Sequence, residues 1–146
     1  MQQSFDLFFA SSNNHKYQEA KKILDVFGIK LGFFKIDLEE IQSNSLKDIA
    51  SKKAINAFSK LKKPLIIEDD GLFIDSLNGF PGPYSSYVFK TIGNKGILNL
   101  LKNNRNAKFI SIITFYDKKT LQSFESKLDG TISKSQKGKG WGYDPI

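Results

Sequence analysis

The run Leu65-Ile66-Ile67-Glu68-Asp69-Asp70-Gly71 sets three aliphatic residues directly before three carboxylates and a glycine. Continuous apolar residues after Pro64 read as a buried strand. Ionised carboxylates cannot be carried into a core unpaired without a penalty of several kcal/mol. The chain must therefore turn them to water or set them against something positive. A solvated turn is the plainer outcome. The alternative is a binding site, because open α/β sheets place ligands beyond the carboxyl ends of their strands. Glu39-Glu40 ends a second strand-like stretch, Leu31 to Leu38, so the two acidic groups can meet.

The rest of the chain supplies the frame. Phe5 to Ala10 is a short apolar run, expected to be a buried strand. Ser11-Ser12-Asn13-Asn14 follows, a cluster of helix-capping residues. Ala20, Ile23, Leu24 and Phe27 then recur at helical spacing, and Gly28 stops the helix. A strand, a polar turn and a helix start aim backbone N–H groups at the turn, an arrangement that suits phosphate. Most such turns bind nothing. Leu46 to Leu61 predicts a second helix, with Leu46, Ile49, Ala50, Ala54, Ala57, Phe58 and Leu61 on one broad face. Lys53 projects at the edge of that face. Its stem can lie on the core while its amine reaches water, or its ammonium can point into a cleft.

After the acidic run come Leu72 to Leu77 and the turn-rich loop Asn78-Gly79-Phe80-Pro81-Gly82-Pro83. Asn94 to Leu101 predicts a short helix. Phe109 to Tyr116 and Leu121 to Leu128 predict two strands joined by a turn at Asp117 to Thr120. Ile132 is placed to begin one further strand segment. The Lys-, Ser- and Gly-rich stretch Lys134 to Gly142 leads into Trp141-Gly142-Tyr143-Asp144-Pro145-Ile146. The order predicts a single α/β domain over 1–146, with a mixed central β-sheet flanked by helices. The length of 146 residues suits one domain, and no repeat or long linker divides it.

Composition narrows the chemistry. There is no Cys and only His15, so a metal would be held by oxygen ligands, which points to a hard cation such as Mg²⁺. The formal charge of +7 fits a polyanionic partner. Arg105 is the only arginine, whereas sequence-specific DNA readers use Arg for bidentate base contacts, so nucleic acid is the weaker expectation. No apolar run is long enough for a membrane span. The polar stretch Met1 to Asp6 lacks the form of a secretory signal, which makes the cytoplasm the expected location.

Six segments in order resemble the inosine triphosphate pyrophosphatase family, whose members hydrolyse non-standard purine nucleoside triphosphates. They are Ser11 to Lys16, Asp37 to Gln42, the helix carrying Lys52-Lys53-Ala54, Ile67 to Leu72, Asn78 to Ser85, and Gly138 to Pro145. The acidic run followed by Gly79-Phe80-Pro81-Gly82-Pro83-Tyr84-Ser85-Ser86 is the most specific of these. The resemblance implies the fold of that family, shared with Maf-like proteins. It implies phosphate binding by Ser11, Asn13, Lys16 and Lys53. It implies Mg²⁺ binding by Glu40, Glu68 and Asp69, with Asp69 as the catalytic carboxylate that orients or deprotonates water. It implies base binding by Trp141, Tyr143 and Asp144. The expected reaction converts ITP, dITP or XTP to the monophosphate and pyrophosphate, in a homodimer.

The chain departs from the family pattern at two places. Ser12 stands where Gly is common, and Ser is less comfortable than Gly at positive φ. Asp70 stands where the family usually has Ser or Thr. The resemblance also leads one to expect a strand and a helix after Ile146, with a Ser-His-Arg segment that reads the base. A Maf-like enzyme with other base preferences is one rival reading. An inactive homologue that binds nucleotide or nucleic acid without turnover is another.

Overall fold

Parallel pairing of three short strands creates the frame on which the acidic run sits. In the computed structural model, which describes residues 4–146, β1 (Leu7–Ser11) lies between β2 (Leu31–Lys35) and β3 (Leu65–Ile74). Residues 1–3 of the polar N-terminal stretch lie outside the described residues. The register sets Leu7 beside Leu31 and Ser11 beside Lys35, while Phe8 and Phe9 face Leu65 and Ile66. The remaining elements are α1 (Asn14–Val26), α2 (Leu46–Leu61), a single 3₁₀ turn at Asp75–Leu77, β4 (Pro81–Gly82), α3 (Ser85–Thr91), α4 (Gly93–Leu100), β5 (Asn106–Tyr116) and β6 (Leu121–Thr131). The strands form one mixed sheet in the order β2-β1-β3-β5-β6, with β4 antiparallel to β3. The expected mixed α/β sheet flanked by helices is therefore what the chain forms. Among the described residues no helix is long and apolar enough to cross a membrane.

The chain divides into two units, 1–69 with 112–124 and 70–111 with 125–146. In the first, Phe9, Leu31 and Ile66 form a core joined by Tyr17, Ala20, Leu24, Phe33 and Phe115. Tyr17 stacks on Phe33 with ring centroids 4.4 Å apart and donates its hydroxyl to the Leu31 carbonyl at 3.2 Å. That bond lets a polar aromatic serve as a core residue. The inward stripe of α1 is thus Tyr17, Ala20 and Leu24. Ile23 and Phe27, expected on the same face, are 62% and 73% exposed. Helix α2 has the predicted ends. Ser45 caps it by accepting from the Asp48 N–H, and Leu46, Ile49, Ala50, Ala54 and Ala57 are buried. Phe58, on the same face, meets Tyr116 edge-on.

In the second unit Leu72, Ile74, Val88, Ile97, Leu101, Ala107 and Ile132 are buried together. Ser85, at the start of α3, is 2% exposed; its hydroxyl accepts from the Leu72 N–H at 2.8 Å and donates to the Gly82 carbonyl at 2.6 Å. Arg105 donates to the carbonyls of Ile132 and Ser133.

Several boundaries differ from the sequence expectation. Strand β3 does not stop at the carboxylates: it runs through Glu68, Asp69 and Asp70 to Ile74. Ile67, Asp69 and Gly71 are buried while Glu68 and Asp70 are half-buried, the alternation of a pleated strand. Strand β2 ends at Lys35, three residues early, and β6 continues to Thr131, three residues late. Helix α3 was not foreseen. No further strand begins at Ile132, whose N–H instead donates to the Arg105 carbonyl. Ser12 is not among the described residues with positive φ, so the turn after β1 does not need glycine there.

Candidate functional site

The first unit gathers two lysines and three carboxylates at the carboxyl ends of its parallel strands. Ser11 closes β1, and its hydroxyl accepts from the Asn13 N–H at 3.0 Å. Asn13 is the N-cap of α1; its side-chain oxygen accepts from the N–H groups of His15 (2.9 Å) and Lys16 (3.2 Å). The capping cluster seen in the sequence therefore builds the turn it was expected to build. One helical turn on, Lys16 Nζ lies 2.8 Å from Glu68 Oε2, with both side chains largely buried.

Lys53 comes from the middle of α2, where the edge of the apolar face meets β3. Its ammonium lies 2.6 Å from Asp69 Oδ1 and 2.5 Å from Glu40 Oε1. Of the two readings open for this residue, the charge facing other charged groups is the one realised: its side chain is only 11% exposed. Burial alone would lower the Lys53 pKa, but Asp69 and Glu40 overcome it and hold the ammonium above the ordinary value. For Asp69 burial is the largest influence and pushes the carboxyl up, only partly opposed by Lys53 and Lys16. The other oxygen, Asp69 Oδ2, is buried with no hydrogen-bond partner.

A small cleft of about 70 Å³ opens beside this cluster, lined by Ser11, Ser12, Asp37, Glu40, Lys53 and Glu68 among others. Ser12 and Asp37 line it without having been assigned a role from the sequence. Asp37 opens the family-like segment Asp37 to Gln42, and its position just past β2 is the signal that could have singled it out.

A hard cation is compatible with these donors. Mg²⁺ is commonly held by one or two carboxylates, with waters and phosphate oxygens completing its shell. An orphaned buried carboxylate oxygen on Asp69 suits such a partner. Among the described residues no group of three or more His, Cys, Asp or Glu is arranged to hold a metal unaided. A cation here would draw its remaining ligands from water or phosphate oxygens.

The second unit contains Trp141, Tyr143 and Asp144. Tyr143 is tied into that unit: its hydroxyl donates to the Ser85 carbonyl at 2.7 Å and its ring meets Phe89 edge-on at 5.4 Å. Burial, with a smaller contribution from the Asp70 charge, pushes its pKa to about 12. Trp141 and Asp144 are exposed, and the Asp144 N–H donates to the Trp141 carbonyl at 3.2 Å. Buried Asn94 donates to the Gly142 carbonyl at 2.9 Å and holds the segment from α4.

The chain is similar to known proteins over most of its length. Residues 7–146 match the family model described as the Ham1 family. The chain is 46% identical over 142 residues to a dITP/XTP pyrophosphatase of Korarchaeum cryptofilum, covering 96% of this chain and 77% of that protein. It is 46% identical over 144 residues to a dITP/XTP pyrophosphatase of Methanopyrus kandleri, with the same coverage. Among solved structures, a HAM1 protein from Coxiella burnetii superposes with a TM-score of 0.84 at 26% identity, covering 98% of this chain and 81% of the other. A dITP/XTP pyrophosphatase from Mycobacterium abscessus superposes at 0.76 and 26% identity, covering 96% and 81%.

Proposed function

The chain belongs to the Ham1 family, and we propose on that premise that it is a nucleoside triphosphate pyrophosphatase hydrolysing ITP, dITP and XTP to the monophosphate and pyrophosphate. Removing such nucleotides keeps them out of the pool used for synthesis. Work on free nucleotides would place it in the cytoplasm, and we read it as a homodimer. The observation that carries the enzymatic reading is the meeting of Lys53 with Asp69 and Glu40 beside the Ser11 turn.

The division of labour follows from charge. Lys16 and Lys53 are the cations available to a triphosphate, and Ser11 and Asn13 shape the turn that would receive it. Glu40 and Asp69, with Glu68 beside them, would hold Mg²⁺. When bound, that ion supplies charge neutralisation and polarisation of phosphate oxygens. Asp69 is suited to accept a proton from the attacking water, because burial raises its basicity. Water attacks the α-phosphorus, and pyrophosphate leaves with its charge offset by the lysines. Trp141, Tyr143 and Asp144 are assigned to the base, and an aromatic there can stack on a purine face.

The test is pyrophosphate release from ITP, XTP and ATP by the 146-residue chain, with and without Mg²⁺. Turnover of ITP and XTP well above ATP, dependent on Mg²⁺, is expected. Tight nucleotide binding without turnover would replace this reading with that of a binding protein. A preference for other bases would point to the Maf-like alternative.

A further inference from the structure

The segment assigned to the base is a tight turn whose middle is held from a distance. The Asp144 N–H donates to the Trp141 carbonyl at 3.2 Å, so Trp141, Gly142, Tyr143 and Asp144 form one turn. Gly142 has φ +59, whereas Tyr143 is not among the residues with positive φ. That is the pattern of a type II′ turn, which calls for glycine at its second position. The turn's own hydrogen bond uses the Trp141 carbonyl and the Asp144 N–H. The Gly142 carbonyl takes no part in it.

Asn94 takes that carbonyl, its Nδ2 donating at 2.9 Å across 48 residues of chain. An Asn in the first turn of a helix ordinarily bonds to nearby backbone. Here α4 has no side-chain cap, and Asn94 is turned inward, only 8% exposed. Burying an amide is unfavourable unless it finds a partner. The Gly142 carbonyl is that partner.

Side-chain packing does not hold residue 142: a Cβ built on Gly142 would meet nothing within 4 Å. The residues on either side of it are fixed unequally. Tyr143 is anchored by its hydroxyl on the Ser85 carbonyl and by the edge of Phe89. Trp141 is 39% exposed. The Asn94 bond fixes the peptide between Gly142 and Tyr143, one residue from the indole. It thereby sets how the Trp141 and Tyr143 rings stand relative to each other.

We propose that Asn94 is a positioning residue for base recognition: its amide fixes the Gly142 peptide and so the pose in which Trp141 and Tyr143 meet a purine. This rests on the assignment of those two aromatics to the base, and it places Asn94 itself out of contact with the nucleotide. Without the bond the turn must be ordered at the moment of binding, and that ordering is subtracted from affinity. The phosphate end, assigned to Lys16 and Lys53, is untouched.

Trp141 is the only tryptophan, so its emission reports directly on the turn. ITP titrated in EDTA gives a dissociation constant free of turnover. Asn94→Ala and the near-isosteric Asn94→Leu should each weaken ITP binding by about tenfold, within what one stacked base contributes. Both should bind inorganic tripolyphosphate as wild type does, measured by calorimetry, because it carries no base. In Mg²⁺-dependent turnover of ITP, KM should rise by a similar factor with kcat within about twofold, the mark of lost uniform binding. Ile97→Val shortens a core side chain on the same helix without altering a hydrogen bond. It should lower the unfolding midpoint and leave ITP affinity unchanged. Wild-type ITP affinity in both Asn94 variants overturns the proposal. An equal loss of tripolyphosphate binding, an equal loss in Ile97→Val, or failure of both Asn94 variants to fold also overturns it, in favour of a purely structural role. A wild type whose emission is unmoved by ITP overturns the base assignment of Trp141 and the proposal with it. Pyrophosphate release from ITP by the wild type decides the enzymatic reading separately.

Discussion

Lys53 Nζ lies 2.6 Å from Asp69 Oδ1, while the second oxygen of that carboxylate is buried without a partner. One side of Asp69 is thus neutralised from within the protein and the other is left for something else. Asp69→Asn keeps the shape and removes the charge. Mg²⁺-dependent pyrophosphate release from ITP should fall by about 100-fold or more, with the unfolding midpoint little changed. Full activity in the variant would remove Asp69 from the reaction.

Lys53→Ala has a different signature. It leaves Asp69 buried beside Glu40 with no ammonium between them. Breaking a fully buried pair costs roughly 3–5 kcal/mol. Glu40 is half exposed, so about 2 kcal/mol is the expected loss in urea unfolding, together with loss of turnover. Unchanged stability would mean that the cluster is solvated in solution.

Ser85→Ala should be among the more damaging small changes outside the charged cluster. The hydroxyl serves both the Leu72 N–H and the Gly82 carbonyl in a buried place. Stranding buried polar groups costs about 1–3 kcal/mol each. A loss of about 2–4 kcal/mol in denaturant unfolding is expected. A neutral effect would show that water reaches both groups.

Gly71→Ala tests the approach of β4 to β3. A Cβ at position 71 would lie 2.5 Å from the Gly82 carbonyl oxygen, too close for any side chain. The variant should unfold at lower temperature, with a loss of about 2 kcal/mol or more. Wild-type stability would require β4 to move freely.

Tyr143 makes a prediction in pH. Its pKa is raised from 10.0 to about 12 in the folded chain, chiefly by burial. The folded state keeps the proton where the unfolded state has lost it, so this contribution is fully present below pH 10 and is lost as pH rises toward 12. Wild type should exceed Tyr143→Phe by about 1 kcal/mol at pH 8, from the bond to Ser85. The difference should shrink or reverse by pH 11 in chemical denaturation. A constant difference across that range would show that the phenol titrates normally.

Helix α2 could be read to its ends because Ser45 caps it and its apolar face is unbroken. Strand β3 could not, because three carboxylates imitate a strand end. The ammonium groups of Lys53 and Lys16, brought from other elements, make a strand through Glu68 and Asp69 tenable. Helix α3 spans seven residues and has no side-chain cap, so it leaves no periodic signal. The far end of β6 was missed because Asp129-Gly130-Thr131 has the composition of a turn. The residue types of the candidate site were legible in the acidic run and the lysines. Which lysine meets which carboxylate was not, since that depends on parallel pairing of β1 with β2 and β3.

The mutual pairing of Lys16 with Glu68 and of Lys53 with Asp69 and Glu40 has a kinetic consequence. Two ammonium groups and three carboxylates nearly cancel, so the cluster exerts little pull on a distant anion. The chain's excess positive charge lies elsewhere. Nucleotide capture would then be steered by surface lysines and slowed as salt screens them, while the chemical step, fixed by close contacts, would be largely indifferent to ionic strength.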